Sequence, residues 1–188
     1  QCLDFDFLHD KELPDETGKR PELSPVQGEV EFEHVRFSYP NHPDKIIIKD
    51  FSRALDSTVY EGRVKGKNRL GFFRPGVEEV RTKRFNDLEV AGHELAHLID
   101  FRVPELSQVI KSDRALAKEF KSVSYDQRSL AEGFAEGMRL WLTQPETLQA
   151  KAPGVAAFLD QFAAKHAYGP AMRKAQADMT AWFGQDAL

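Results

Sequence analysis

The chain has 188 residues, 41% of them hydrophobic, enough for one domain with a real core. A net charge of −4 argues against nucleic-acid binding by the chain as a whole, and no apolar run approaches the 18 residues a membrane helix needs. The single cysteine, Cys2, excludes a disulfide framework and a cysteine-based zinc site.

Residues 1–28 are acidic and interrupted by Pro14, Pro21 and Pro25. Through Glu33 there are ten acidic and three basic residues, which predicts an arm or linker ahead of a domain spanning 29–188. Because the chain begins at Gln1, it is expected to be cut from a longer protein, either cytoplasmic or delivered as part of that larger chain. Alternation over 29–39 predicts a strand, and Ile46-Ile47-Ile48 a second, β-branched one. The opening stretch from Gly28 to Pro40 looks like the first strand of an ABC-type ATPase, but no G-x-x-x-x-G-K-[ST] loop follows to hold phosphates. Residues 58–73 read as a hairpin turning near Gly66-Lys67-Asn68, and 77–85 as a further strand. Eight basic residues between 62 and 84 surround Phe72 and Phe73. This basic hairpin could be a solvated face, a nucleic-acid surface, a preference for acidic substrate, or a dock for the acidic arm.

From Asn86 the period becomes helical, with helices expected near 87–101, 105–121, 127–143, 153–167 and 170–183. Gly154 and Gly169, each beside a proline, mark breaks. A β-rich part (29–85) followed by a helical part (86–188) makes the fold class α+β. Asn86 is the expected N-cap of the first of these helices, with Glu89 as its capping-box partner, and Pro104 limits its far end. Phe101 and Trp141 are expected in the core.

This helix carries His93-Glu94-Leu95-Ala96-His97. Residues four apart share a face, so both imidazoles can reach one metal ion, while Glu94 stands beside it. Two neutral nitrogen ligands plus a carboxylate able to take a proton from a metal-activated water is the arrangement of a zinc hydrolase. Catalytic zinc takes a third protein ligand. His9, His34, His42, His166 and the downstream acids are candidates, and no His closely follows the motif. Glu132 fits best: it lies with Glu136 on one face of a helix rich in apolar residues. Glu136 would then support a ligating His. Gly133 and Gly137 would let this helix approach the motif helix.

Tyr125, Glu132 seven residues on, and Phe134-Ala135-Glu136, downstream of His93-Glu94-x-x-His97 and Asp100, resemble the metallopeptidase family of the anthrax lethal factor catalytic domain and the Pro-Pro endopeptidases. The likeness covers residues 87–142, with a shorter gap from His97 to Glu132 than in the toxin. Tyr60–Arg63 through Leu70–Phe73, running into the motif, also looks like zincin domains embedded in large phage or mobile-element polyproteins. The resemblance implies a zincin-like fold, a small mixed sheet drawn from 56–85, and zinc held by His93, His97 and Glu132. It implies Glu94 as general base and Tyr125 facing the metal, where it would donate to a developing oxyanion or bind the water at rest. Asp100 would orient a ligand or cap packing. An edge strand near Leu70, Gly71, Phe72 and Phe73 could receive a peptide or protein substrate by main-chain pairing, with Phe72 or Phe73 lining a side-chain pocket or, equally, packing in the core. The expected activity is zinc-dependent peptide-bond hydrolysis. The rival reading is a structural zinc or nucleic-acid-binding module without turnover.

Overall fold

Pro43 opens the first helix, α1 (Pro43–Ala54), in a computed structural model that describes residues 43–185. The strand expected at 29–39 and the acidic arm lie outside the described residues. The isoleucine run expected as a strand belongs instead to α1. Ile47, Ile48, Phe51 and Leu55 are buried, a spacing that marks one helical face. Three β-branched residues are too short a window to show that period; Phe51 and Leu55 reveal it.

Three short strands follow: β1 (Val59–Glu61), β2 (Gly71–Arg74) and β3 (Glu79–Thr82), arranged β1-β3-β2. β1 pairs with β3 in parallel and β2 pairs with β3 antiparallel. The hairpin expected over 58–73 is therefore replaced by one between β2 and β3. Its turn is a 3-10 element at Pro75–Val77, followed by Glu78 in the left-handed region at φ 48°. Proline at the first position of that element fixes φ and makes this the tighter turn. The sheet is mixed, and β2 is one of its edges. Phe73, Val80 and Thr82 turn towards the helices, whereas Phe72, Arg74, Glu79 and Arg81 occupy alternate positions on the other face.

The rest is helical: α2 (Leu88–Arg102), α3 (Pro104–Ser112), α4 (Arg114–Val123), α5 (Leu130–Thr143), α6 (Pro145–Lys151), α7 (Pro153–Lys165) and α8 (Gly169–Gln185). The described part is thus α+β and mostly helical, with a small mixed sheet. The single helix expected at 105–121 is two. Asp113 is extended between them, and its carboxylate accepts the Ala115 and Leu116 amides at 2.9 and 3.0 Å, capping α4. The short α6, absent from the sequence reading, starts at Pro145 right after α5 ends.

α2 packs chiefly on α5, and both sit on a core that includes Leu95, Leu98, Ile99, Phe134, Met138 and Trp141. Trp141 is buried as expected, its indole N–H donating to Asp160 at 3.0 Å. Phe101 is 47% exposed, contrary to expectation: it lies near the end of α2, with its ring 5.7 Å from that of Phe73. The two glycines of α5 do not serve the α2 contact. A Cβ on Gly133 would come within 2.7 Å of the Phe120 carbonyl oxygen, and one on Gly137 within 3.0 Å of the Phe120 ring. They admit α4 to the opposite side of α5.

Candidate metal centre

α2 begins at Asp87, whose carboxylate accepts the Val90 amide at 3.1 Å. The cap falls one residue after the expected Asn86, because Asn86 is itself left-handed (φ 57°) with its amide nitrogen bonded to Glu61 at 2.9 Å. Glu89 is likewise no capping-box partner; its carboxylate accepts from Arg139 at 2.5 Å and Gln144 at 3.3 Å. The helix buries Leu88, Ala91, Leu95, Leu98 and Ile99, which fixes its rotation. That rotation presents His93 and His97 to a cleft of about 930 Å³ and sends Glu94 against β2.

α5 supplies the facing wall. Its N-cap, Ser129, accepts the Glu132 amide at 3.2 Å, which places Glu132 in the first turn. Glu132 Oε2 lies 3.3 Å from His93 Nε2, and Oε1 lies 3.6 Å from His97 Nε2. One ligand atom from each of the three side chains falls within a 4.8 Å cluster that could hold a metal ion. Two imidazole nitrogens and one carboxylate form a donor set suited to zinc. On the far side of the His93 ring, Nδ1 is 3.3 Å from Glu136 Oε2. That contact orients the ring and leaves Nε2 facing the cluster, free to coordinate an ion held there.

Glu136 is held in turn by Arg139, whose guanidinium donates at 2.6 and 3.0 Å and also binds Glu89. The sequence reading missed Arg139; its i+3 spacing from Glu136 was the available signal. Burial works against the charge of Glu136, but the hydrogen bonds from His93 and Arg139 prevail and depress its pKa to about 2. At His93, burial is outweighed by the Glu136 hydrogen bond and by the charges of Glu94 and Glu132, so its pKa is raised. At His97, burial and the proximity of His93 lower it.

Glu94 is only 7% exposed. Burial raises its pKa to about 7, against the pull of His93 and Arg69 and of a hydrogen bond from the Phe73 backbone. Tyr125, in the loop between α4 and α5, is 74% exposed, but its hydroxyl donates to Glu132 Oε2 and its ring lies 6.1 Å from that of His93. Burial of its polar end and the Glu132 carboxylate push its pKa up, so it remains a proton donor. Asp100 accepts from Ser107 on α3 at 2.8 Å, tying the end of α2 to the next helix, and reaches His97 through its charge.

Leu70, Gly71 and Phe72 line the same cleft, with Leu70 half exposed and Gly71 buried. The structure therefore brings His93, Glu94, His97, Tyr125, Glu132, Glu136 and the start of β2 to one place, with Asp100 at its margin. No protein-family model, curated protein or solved structure matches the chain.

Proposed function

We propose that this chain is a zinc-dependent endopeptidase with a zincin-like arrangement, in which His93, His97 and Glu132 hold the metal. The observation that carries the reading is the position of Glu94. A carboxylate only 7% exposed stands beside the two-histidine, one-glutamate cluster, at the edge strand of an open cleft. A structural metal site has no use for such a group. When bound, the metal supplies Lewis acidity that brings the pKa of water towards roughly 7.

Glu94, beside the cluster and within the cleft, would take the proton from the attacking water and return it to the leaving amine. The Phe73 amide fixes that carboxylate at the strand edge. Tyr125 turns its hydroxyl from Glu132 to the developing oxyanion. Glu136 and Arg139 hold His93 in place. The edge of β2, apart from the Phe73 amide that Glu94 holds, would receive the substrate backbone as an added strand. The Tyr125, Glu132 and Glu136 spacing supports placing the chain near the lethal factor and Pro-Pro endopeptidase group.

Metal analysis combined with peptide-library cleavage tests this. The wild-type chain should bind about one zinc and cleave peptides. Glu94→Ala should keep the metal and lose cleavage, whereas equal cleavage by both proteins would remove Glu94 from the mechanism and overturn the reading.

A further inference from the structure

On the outer face of the sheet, around the edge strand from the metal cleft, lies a second groove of about 620 Å³. Its polar lining is almost wholly basic: Arg63, Lys65, Arg69, Arg74 and Arg81, with Glu79 the one acid among its lining residues. Glu79 is already shared by Arg74 at 3.1 Å and Arg81 at 2.8 Å. Arg63 and Lys65 are exposed and are in no ion pair with a carboxylate of the described residues, and the exposed Arg69 also acts on Glu94 through its charge. Arg69, Phe72, Phe73 and Pro75 line both cavities, so the groove and the metal cleft meet across β2.

The pleat determines what this means for a bound chain. A peptide extended along the edge of β2 continues the sheet, and its side chains point alternately to the two faces. One set enters the metal cleft. The other set meets the outer face, where Phe72 and Arg74 alternate with the inward Gly71 and Phe73. We infer that the outer groove selects acidic side chains at alternate positions of a peptide substrate whose backbone lies along β2. This rests on the peptidase reading for its location and on charge complementarity for its chemistry. A peptide fits better than a nucleic acid, because the Phe72 ring already carries two guanidinium groups, Arg69 at 5.7 Å and Arg74 at 5.1 Å, in place of a stacked base.

The test separates binding from turnover. Zinc-loaded Glu94→Gln protein is titrated by fluorescence anisotropy with two labelled peptides that differ only in carrying Glu or Gln at alternate positions. The Glu peptide should bind roughly tenfold more tightly at low salt, and the margin should shrink as salt rises. Arg63→Glu with Lys65→Glu should bring the ratio close to one, with an unchanged circular dichroism spectrum. Equal affinity for the two peptides, or a preference that survives the charge reversal, overturns the inference. So does a single-stranded oligonucleotide that displaces the Glu peptide at lower concentration. Wild-type protein that binds the Glu peptide selectively but cleaves nothing removes the peptidase reading and keeps the groove's ligand class. Wild-type protein that cleaves both peptides equally well does the reverse.

Discussion

A Cβ placed on Gly71 would stand 2.8 Å from Glu94 Oε1, so the edge strand and the buried carboxylate touch without room for a methyl group. The same Cβ would meet Val90 Cγ1 at 2.6 Å and the Arg81 carbonyl oxygen at 2.9 Å; the latter is backbone and has little freedom to move. Gly71→Ala must displace either β2 or Glu94. The expected result is a loss of about 1–3 kcal/mol in stability and a fall in kcat/KM of at least about tenfold, with zinc content unchanged because no ligand is touched. Thermal unfolding, metal analysis and kinetics on one preparation check this.

The buried charge of Glu94 carries a stability cost in the metal-free protein. Its pKa is raised in the fold from 4.5 to about 7. The folded state therefore binds the proton more tightly than the unfolded state does. Stability from this group is complete below pH 4.5 and is lost as pH rises through about 7. At roughly 1.4 kcal/mol per pKa unit, the loss approaches about 3 kcal/mol. Metal-free Glu94→Gln should then be more stable than wild type at pH 8 by about 1–3 kcal/mol, with little difference at pH 5. Denaturant melts at the two pH values measure it, and a Gln variant less stable at pH 8 would refute the burial argument.

Metal binding should be visible as stabilisation and as proton release. Zinc at about a thousand times its dissociation constant adds about 4 kcal/mol to the folded state. His97→Ala and Glu132→Ala should abolish that gain, and a chelator should reverse it in the wild type. Because the pKa of His93 is raised, the metal-free site holds a proton there to a higher pH than an ordinary imidazole does. Affinity should accordingly weaken as pH falls, with more protons displaced per zinc. Calorimetry in buffers of different ionisation enthalpy counts them.

Arg139 donates to Glu136, which in turn contacts the His93 ring. Arg139→Leu removes the two N–H groups that both donate to Glu136 Oε1 and should weaken zinc binding by about 10–100-fold. Arg139→Lys, which keeps the charge but not the fork, should recover part of that loss. A competition titration with a chromophoric chelator reads both.

Two helical glycines should respond to alanine in opposite directions. Gly92 faces only the Leu142 Cδ1 methyl at 3.4 Å, so Gly92→Ala should follow helix propensity and stabilise by up to about 1 kcal/mol. Gly133→Ala drives a methyl into the Phe120 carbonyl and should cost about 1–3 kcal/mol despite the same propensity gain. Chemical denaturation of both variants separates packing from propensity.

These contrasts also mark what the sequence made legible. The convergence of His93 and His97 on one cleft is legible because a helix fixes the spacing of residues four apart. Glu132 and Glu136 were readable for the same reason, although their apposition to α2 is tertiary. The purpose of Gly133 was misread, since a glycine reveals that something comes near but not which element does; here it is α4. The strand reading of Ile46–Ile48 failed because a short β-branched window outweighed the longer period through Leu55. The hairpin reading of 58–73 failed because sequence neighbours β1 and β2 are separated in the sheet by β3, a pairing that no local pattern encodes. Asp87 displaced Asn86 as the cap because Glu61, 25 residues upstream, holds the Asn86 amide.

The alignment of Gly71 opposite Thr82 has a bearing on how this chain can vary. Strand side chains swap faces with every residue, so sliding β2 by one place along β3 would turn Phe72 inward, onto the carboxylate that Gly71 now meets without a side chain. Insertion or loss of a single residue in the Pro75–Glu78 turn is therefore the length change to which chemistry in this cleft is most exposed. Variation in the arc from Gly62 to Arg69 leaves that alignment intact.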